Sequence, residues 1–354
     1  MRFLLFPVGW LYGLVMLLRN KFYDWGILTE TQFSFPVISV GNLSMGGTGK
    51  TPHVEYLIRL LSNDFKVAVL SRGYRRKTRG FRLADQHSVC DDIGDEAVQI
   101  SRKFSHVIVA VDEDRVHGIR EIKKRYPECD VIILDDAYQH RSVKPGLSIL
   151  LSDFHRLYPE NYIFPVGNLR EFKSGAGRAD IIIISKTPKP LSPLTVRRIQ
   201  ALVRPALHQK LLFSYISSGE LTLAPNLKIK KIPQHFTNIL LFAGIDNIYP
   251  LLDHVSRYAH TIEHIHYGDH HHYTGNDLNY IRKRFEDLLS KEKILITTEK
   301  DIARLAYPEL PDQLSDLPLF YLPIEVKFHT EYRKSFNDQI RNYVRENREN
   351  KEVY

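Results

Sequence analysis

Between the apolar run Val37-Ile38-Ser39-Val40 and a stretch carrying Val54, Leu57, Ile58 and Leu61 on one helical face lies Gly41-Asn42-Leu43-Ser44-Met45-Gly46-Gly47-Thr48-Gly49-Lys50-Thr51-Pro52. This order of strand, glycine loop and helix constrains the chain more than any other feature. Glycines let successive backbone N–H groups turn inward, and a helix start adds positive dipole, so the segment reads as a cradle for phosphate. Lys50 adds a charge, and the Thr51 hydroxyl can hold Mg²⁺. Pro52 fits the first helical turn, where its missing N–H costs nothing. The common spacing of such loops places another glycine five positions before Gly49, where this chain has Ser44. A glycine turn followed by a capped helix is the plainer alternative.

Short apolar runs recur at Phe65–Leu70, His106–Val111, Val131–Leu134, Leu147–Leu151 and Ile181–Ile184, with helical or loop stretches between them. Continuous β-branched runs alternating with helices predict a parallel sheet covered on both faces. Thr187-Pro188-Lys189-Pro190 breaks the rhythm, a helix-like stretch runs to Gln209, and a second alternation begins at Ile239. The predicted fold is α/β: a P-loop NTPase-like parallel-sheet domain, a second, smaller α/β domain, and an N-terminal membrane-associated helix. The expected boundaries are 1–28 for that helix, 29–209 for the loop-bearing domain and 210–235 for an extended connector. The smaller domain takes 236–330, and a mixed-charge helix takes 331–354.

The 354 residues suffice for one large core or two modest ones, and the net charge of +8 favours an anionic partner. Only Cys90 and Cys129 occur, so neither a disulfide framework nor a thiolate metal site is encoded. From Phe3 to Leu18 there is no charged residue, and Arg19 and Lys21 follow. That stretch makes roughly 24 Å of helix, short of the ~30 Å hydrocarbon core. Pro7, Gly9 and Gly13 are expected to weaken it further. Trp10, Tyr12, Tyr23 and Trp25 suit a membrane interface, so residues 1–28 read as a monotopic anchor. An apolar helix packed on the protein's own core is the alternative.

Val131-Ile132-Ile133-Leu134-Asp135-Asp136 is a strand ending in two carboxylates, the hard oxygen ligands that Mg²⁺ needs beside phosphates. Asp95 and Glu96 precede the helical stretch Ala97–Lys103, either as stabilising acids at a helix start or with one of them as a general base or metal ligand. Arg170 can bridge phosphates. His264, His266, His270, His271 and His272 surround Gly268-Asp269 and permit either a metal site or an Asp-His pair. The basic loop 72–82 carries Tyr74 and Phe81, but no nucleic-acid module is recognisable and no nucleic-acid partner is expected.

Taken in order, these strings resemble the tetraacyldisaccharide 4′-kinases of lipid A synthesis. The matching pieces are Gly41-Asn42, the loop Gly46–Pro52, Ser71-Arg72-Gly73-Tyr74, Gly94-Asp95-Glu96 and Asp114-Arg115. They continue with Asp135-Asp136-Ala137-Tyr138-Gln139-His140-Arg141, Gly167-Asn168-Leu169-Arg170-Glu171, Asp269-His270 and Thr298-Glu299-Lys300-Asp301. Ala137 stands where the family usually has glycine. The resemblance implies a membrane-associated kinase with two α/β domains flanking a cleft, at the cytoplasmic face of the bacterial inner membrane. It would move the γ-phosphate of ATP to the 4′-hydroxyl of a tetraacylated glucosamine disaccharide 1-phosphate. It makes Asp95 the base and His270 its partner, with Lys50 on the β- and γ-phosphates. Met45, Gly46, Gly47, Thr48, Gly49, Thr51 and Arg170 would contact nucleotide. Thr51, Glu96 and one of Asp135 and Asp136 would place Mg²⁺. A partitioning ATPase is a competing class, but its extra lysine before the glycine pair is Met45 here.

Overall fold

A computed structural model describes residues 5–85, 87–229, 235–259, 261–269, 271–290, 292–306 and 310–349. Among them a nine-stranded sheet runs in the order 324–328, 210–218, 181–185, 147–153, 37–42, 131–135, 67–71, 108–111, 82–83. The inner pairings are parallel, and only the two edge strands run antiparallel to their neighbours. Period-two alternation explains why both faces are covered. Ile181 and Ile183 join one core while Ile182 and Ile184 join the other. The first core includes Leu57 and Ile58 of helix Lys50–Leu61 and Val98 of helix Asp95–Lys103. Opposite it lie Ile119 of helix Arg115–Arg125 and Ile199 of helix Pro193–Val203. Each such fully buried Ile or Leu contributes about 1.5–3 kcal/mol.

A second, five-stranded sheet, in the order 222–223, 319–322, 293–298, 238–244, 261–267, forms the smaller α/β unit. Its helix Tyr249–Val255 covers one face, and helices Gly275–Asp287 and Glu299–Leu305 cover the other.

The expected boundaries are corrected in two places. Lys210–Ser218, read as connector, is a strand of the large sheet, paired with Ile181–Ile184 on one side. Ile324–Phe328, assigned to the smaller domain, returns to the large sheet and pairs with Ser214–Ser218. The terminal helix Thr330–Glu349 follows it there and buries Phe336, Ile340 and Val344 in the large core. The Tyr343 hydroxyl bonds the N–H and C=O of Val37 on the strand that precedes the glycine loop.

The N-terminal helix spans Phe6–Asp24, and its glycines are contact points rather than weaknesses. A Cβ on Gly13 would stand 2.6 Å from Phe172 Cζ and 2.9 Å from Ile163 Cδ1, so only glycine lets these elements close up. Val8, Trp10, Leu11, Leu14, Val15 and Leu18 remain exposed. No helix among the described residues is long and apolar enough to cross a membrane.

Candidate active site

The glycine loop leaves the carboxyl end of strand Val37–Asn42 in the middle of the large sheet, where α/β folds hold ligands. Buried Asn42 braces it from beneath, donating to Thr48 Oγ1 at 2.8 Å, and Ser185 Oγ donates to the Thr48 carbonyl at 2.8 Å. The Met45 N–H is tied to Asn168 O at 2.7 Å. Gly46 and Gly49 take φ of +102° and +84°, and a Cβ on Gly46 or Gly47 would meet nothing within 4 Å. The loop is therefore braced below and open above. Helix Lys50–Leu61 starts at Gly49 with no side-chain cap, leaving its first N–H groups to an incoming anion. Buried His53 locks the first turn: its ring nitrogens lie 2.7 Å from Gly49 O and 2.9 Å from Ser214 Oγ. Burial pushes its pKa down to about 4, so it is neutral at pH 7.

Asp135 and Asp136 end the neighbouring strand but differ in kind. Asp136 is held by two cations: Arg170 donates to Oδ1 at 2.9 Å and Oδ2 at 3.2 Å, and Lys50 Nζ lies 3.6 Å from Oδ2. Burial opposes its ionisation, but Lys50 and Arg170 outweigh it and hold the carboxyl below its usual range. Asp135 is 3 % exposed, and its Oδ1 has no hydrogen-bond partner. Burial first, then the charges of Asp136 and Glu96, push its pKa up to about 7. Glu96 thus acts on Asp135 through its charge.

The chemistry of this donor set fits a hard dication: a buried carboxylate oxygen lacking a partner, a second acid nearby and a hydroxyl at Thr51. No three His, Cys, Asp or Glu side chains among the described residues converge closely enough to hold a metal unaided. Mg²⁺ characteristically completes its shell with water and substrate phosphate.

Several residues that sequence reading quoted but left without a role join the site here. Gln139 donates to Asn42 O at 2.8 Å and to Glu171 Oε1 at 3.1 Å. Buried Glu171 also accepts from Arg178 at 2.8 Å and from Asn20 of the N-terminal helix at 2.7 Å. Tyr12 and Arg19 of that helix donate to the carbonyls of Arg170 and Gln139, both at 2.9 Å. The helix is thus bonded directly to the shell around Lys50 and Asp136. Arg115 is fully buried, donates to Asp112 O, and faces Asp135 and Asp136 electrostatically.

Asp95 and Glu96 open helix Asp95–Lys103 behind Gly94, whose φ is +85° and whose Cβ would stand 2.8 Å from Tyr74 O. The positive helix end favours both carboxylates. Asp95 pairs with Arg304 of the smaller unit, with Nη2 2.8 Å from Oδ2.

Among the described residues the histidines of the cluster have separate partners. His271 Nε2 lies 3.1 Å from Asp277 Oδ2 at a helix cap, and its ring stacks on Tyr267 at 4.4 Å. His266 Nε2 is 2.7 Å from Ile245 O. Among the described residues no three His, Cys, Asp or Glu side chains of this region come together as a metal site. His270, the expected partner of Asp95, lies outside them.

A braced strand–loop–helix element open at the carboxyl edge, with paired acids beside it, defines the class of α/β proteins that handle phosphate-bearing ligands. The particular family follows from comparison with known proteins. The family model described as tetraacyldisaccharide-1-P 4′-kinase matches residues 1–345. The tetraacyldisaccharide 4′-kinase of Phocaeicola vulgatus is 45 % identical over 98 % of this chain and 96 % of its own length. The kinase of the same description from Bacteroides thetaiotaomicron is 43 % identical over 98 % and 94 %. A crystal structure of LpxK from Aquifex aeolicus in complex with ATP superposes with a TM-score of 0.73 at 27 % identity, covering 97 % of this chain and 99 % of that one. The chain belongs to the tetraacyldisaccharide 4′-kinase family.

Proposed function

We propose that the open glycine loop and the acids beside it are where this chain carries out its family's reaction. The chain is an ATP-dependent kinase that phosphorylates the 4′-hydroxyl of tetraacyldisaccharide 1-phosphate in lipid A biosynthesis. The observation that carries the site assignment is Asp135: an acid buried without a partner on one oxygen, beside the uncapped helix start that bears Lys50. Such a group is costly unless a ligand meets it.

In this reading the amides of Gly46, Gly47 and Gly49 turn to the nucleotide phosphates, while Met45 and Thr48 line the loop with their own N–H groups held by Asn168 O and Gly46 O. Lys50 sits on the β- and γ-phosphates, with Arg170 beside it. Asp136 holds both cations in place before phosphate arrives, so little reorganisation is needed on binding. Asp135, Glu96 and Thr51 would hold Mg²⁺, with Asp136 serving chiefly as the counter-ion of Lys50 and Arg170. When bound, the ion would neutralise charge on the transferring phosphoryl group. Asp95 takes the proton of the 4′-hydroxyl as that oxygen bonds to the γ-phosphorus and the bond to the β-phosphate oxygen breaks, leaving ADP. His270 would share that proton.

Membrane attachment is a further part of the proposal. The exposed apolar residues of helix Phe6–Asp24 would lie in the interface on the cytoplasmic face of the inner membrane, while Gly9 and Gly13 keep the helix docked. The acyl chains of the substrate then remain in the bilayer as its sugar reaches the loop.

The test is transfer of radiolabelled γ-phosphate in detergent, with Mg²⁺-ATP and tetraacyldisaccharide 1-phosphate. Label is expected in the lipid product and lost in Lys50→Ala. Nucleotide hydrolysis without labelled lipid would defeat the proposal.

A further inference from the structure

The two α/β units meet where helix Asp95–Lys103 lies against helix Glu299–Leu305, and the contact is charged along its length. At the far end Lys103 Nζ bridges Glu299 at 2.5 Å and the buried Glu55 at 2.7 Å. Arg102 donates to Ala303 O at 2.6 Å. At the near end Arg304 donates from Nε and Nη2 to a single oxygen of Asp95, Oδ2, at 2.9 and 2.8 Å.

Arg304 is itself held. Its Nη1 donates to Asp301 Oδ1 at 3.2 Å, and its side chain is only 8 % exposed. Asp301 is fully buried, accepting the Gly244 N–H at 3.0 Å and the Thr298 hydroxyl at 2.6 Å. A rigid chain therefore runs from the strand end at Gly244 through Asp301 and Arg304 to Asp95. A planar guanidinium fixes direction as well as charge, which a lysine cannot do. The Lys103 and Arg102 contacts hold the helices together independently of Arg304, so its geometry is not needed merely as glue.

We propose that Arg304 is a positioning residue for Asp95. From the smaller unit it sets the orientation of the carboxylate and aligns it for proton transfer only while the two units are docked. The inference rests on the reading of Asp95 as the base. A misplaced base costs rate without weakening nucleotide binding, because the glycine loop is braced within the large unit by Asn42, Asn168 and Ser185 and not by Arg304.

The experiment is steady-state kinetics of the full chain in detergent with Mg²⁺-ATP and tetraacyldisaccharide 1-phosphate. Arg304→Gln should lose about 10–100-fold in kcat. Its KM for ATP should stay within about twofold. Arg304→Lys, keeping charge without the fork, should fall between. Arg102→Ala, which cuts the same junction away from Asp95, should stay within about threefold of the wild-type kcat. The inference is overturned if Arg304→Gln keeps or exceeds wild-type kcat, if its KM for ATP rises along with the loss, or if Arg102→Ala reproduces the loss. Asp95→Asn, run in parallel, separates the two readings. A silent Asp95→Asn beside an active Arg304→Gln sinks only the positioning role. An active Asp95→Asn removes the base assignment and the positioning role with it.

Discussion

Two aspartates, one in each α/β unit, make opposite use of burial. Asp301, in the smaller unit, is fully buried and met by the Gly244 N–H, the Thr298 hydroxyl and the Arg304 guanidinium. Asp135, in the large unit, is 3 % exposed, has an oxygen with no partner, and has its pKa pushed up to about 7 by burial and by neighbouring acids. A satisfied buried carboxylate is part of the scaffold; an unsatisfied one beside an open glycine loop calls for another explanation, which the proposed site supplies. The two sheets are alike in architecture, and the difference lies in what each carboxyl edge leaves open.

The largest effects should separate the two acids. Asp135→Asn is expected to cut phosphoryl transfer by about 10³-fold or more. Its melting temperature at neutral pH should not fall, because the change removes a poorly solvated charge. A wild-type rate or a large drop in stability would erase the contrast. Asp301→Ala should do the reverse in kind: urea unfolding should show a loss of about 1–3 kcal/mol, since it leaves the buried Gly244 N–H and Arg304 Nη1 without their acceptor while Asp95 still holds the rest of the guanidinium. Stability unchanged on removing Asp301 would make it as dispensable to the scaffold as Asp135.

A third acid–base group sharpens the comparison through pH. The folded-state pKa of His53 is depressed to about 4 by burial, against 6.5 for the unfolded chain. Its contribution is therefore fully present above pH 6.5 and is lost as pH falls from there to about 4, amounting to about 3 kcal/mol. Unfolding followed across that window should be flatter in His53→Gln than in wild type. Identical slopes would mean that His53 does not stay neutral in the folded chain. The smallest effect concerns the N-terminal helix. Gly13→Val forces a Cβ to within 3 Å of Phe172 and Ile163, at about 1–3 kcal/mol by thermal melting. Gly9→Ala, whose nearest neighbour would be Val166 Cγ2 at 3.1 Å, should cost less.

The residues that sequence reading could place are those whose partners are close along the chain. The glycine loop, Lys50 and the pair Asp135-Asp136 stand at the ends of strands whose apolar patterns are unmistakable, and parallel pairing of those strands brings them together. Lys210–Ser218 carries polar residues at Ser214, Ser217 and Ser218 and so reads as connector. Its place in the sheet depends on Ile181–Ile184 and on Ile324–Phe328, neither adjacent to it in sequence. Gly9 and Gly13 look like helix breakers until Phe172 and Ile163 are packed against them.

By itself, then, the sequence determined the α/β class, the strand–glycine-loop–helix order, the acids at the neighbouring strand end and the family resemblance, because each is written in local spacing. Only the tertiary structure decided that Asp136 is neutralised by Lys50 and Arg170 while Asp135 keeps an oxygen unpaired. It alone set the C-terminal helix on the large sheet, and it alone joined Asp95 to Arg304, 209 residues away. Charge pairing and burial are properties of neighbours in space, and no local pattern encodes which distant side chain will fill the remaining place.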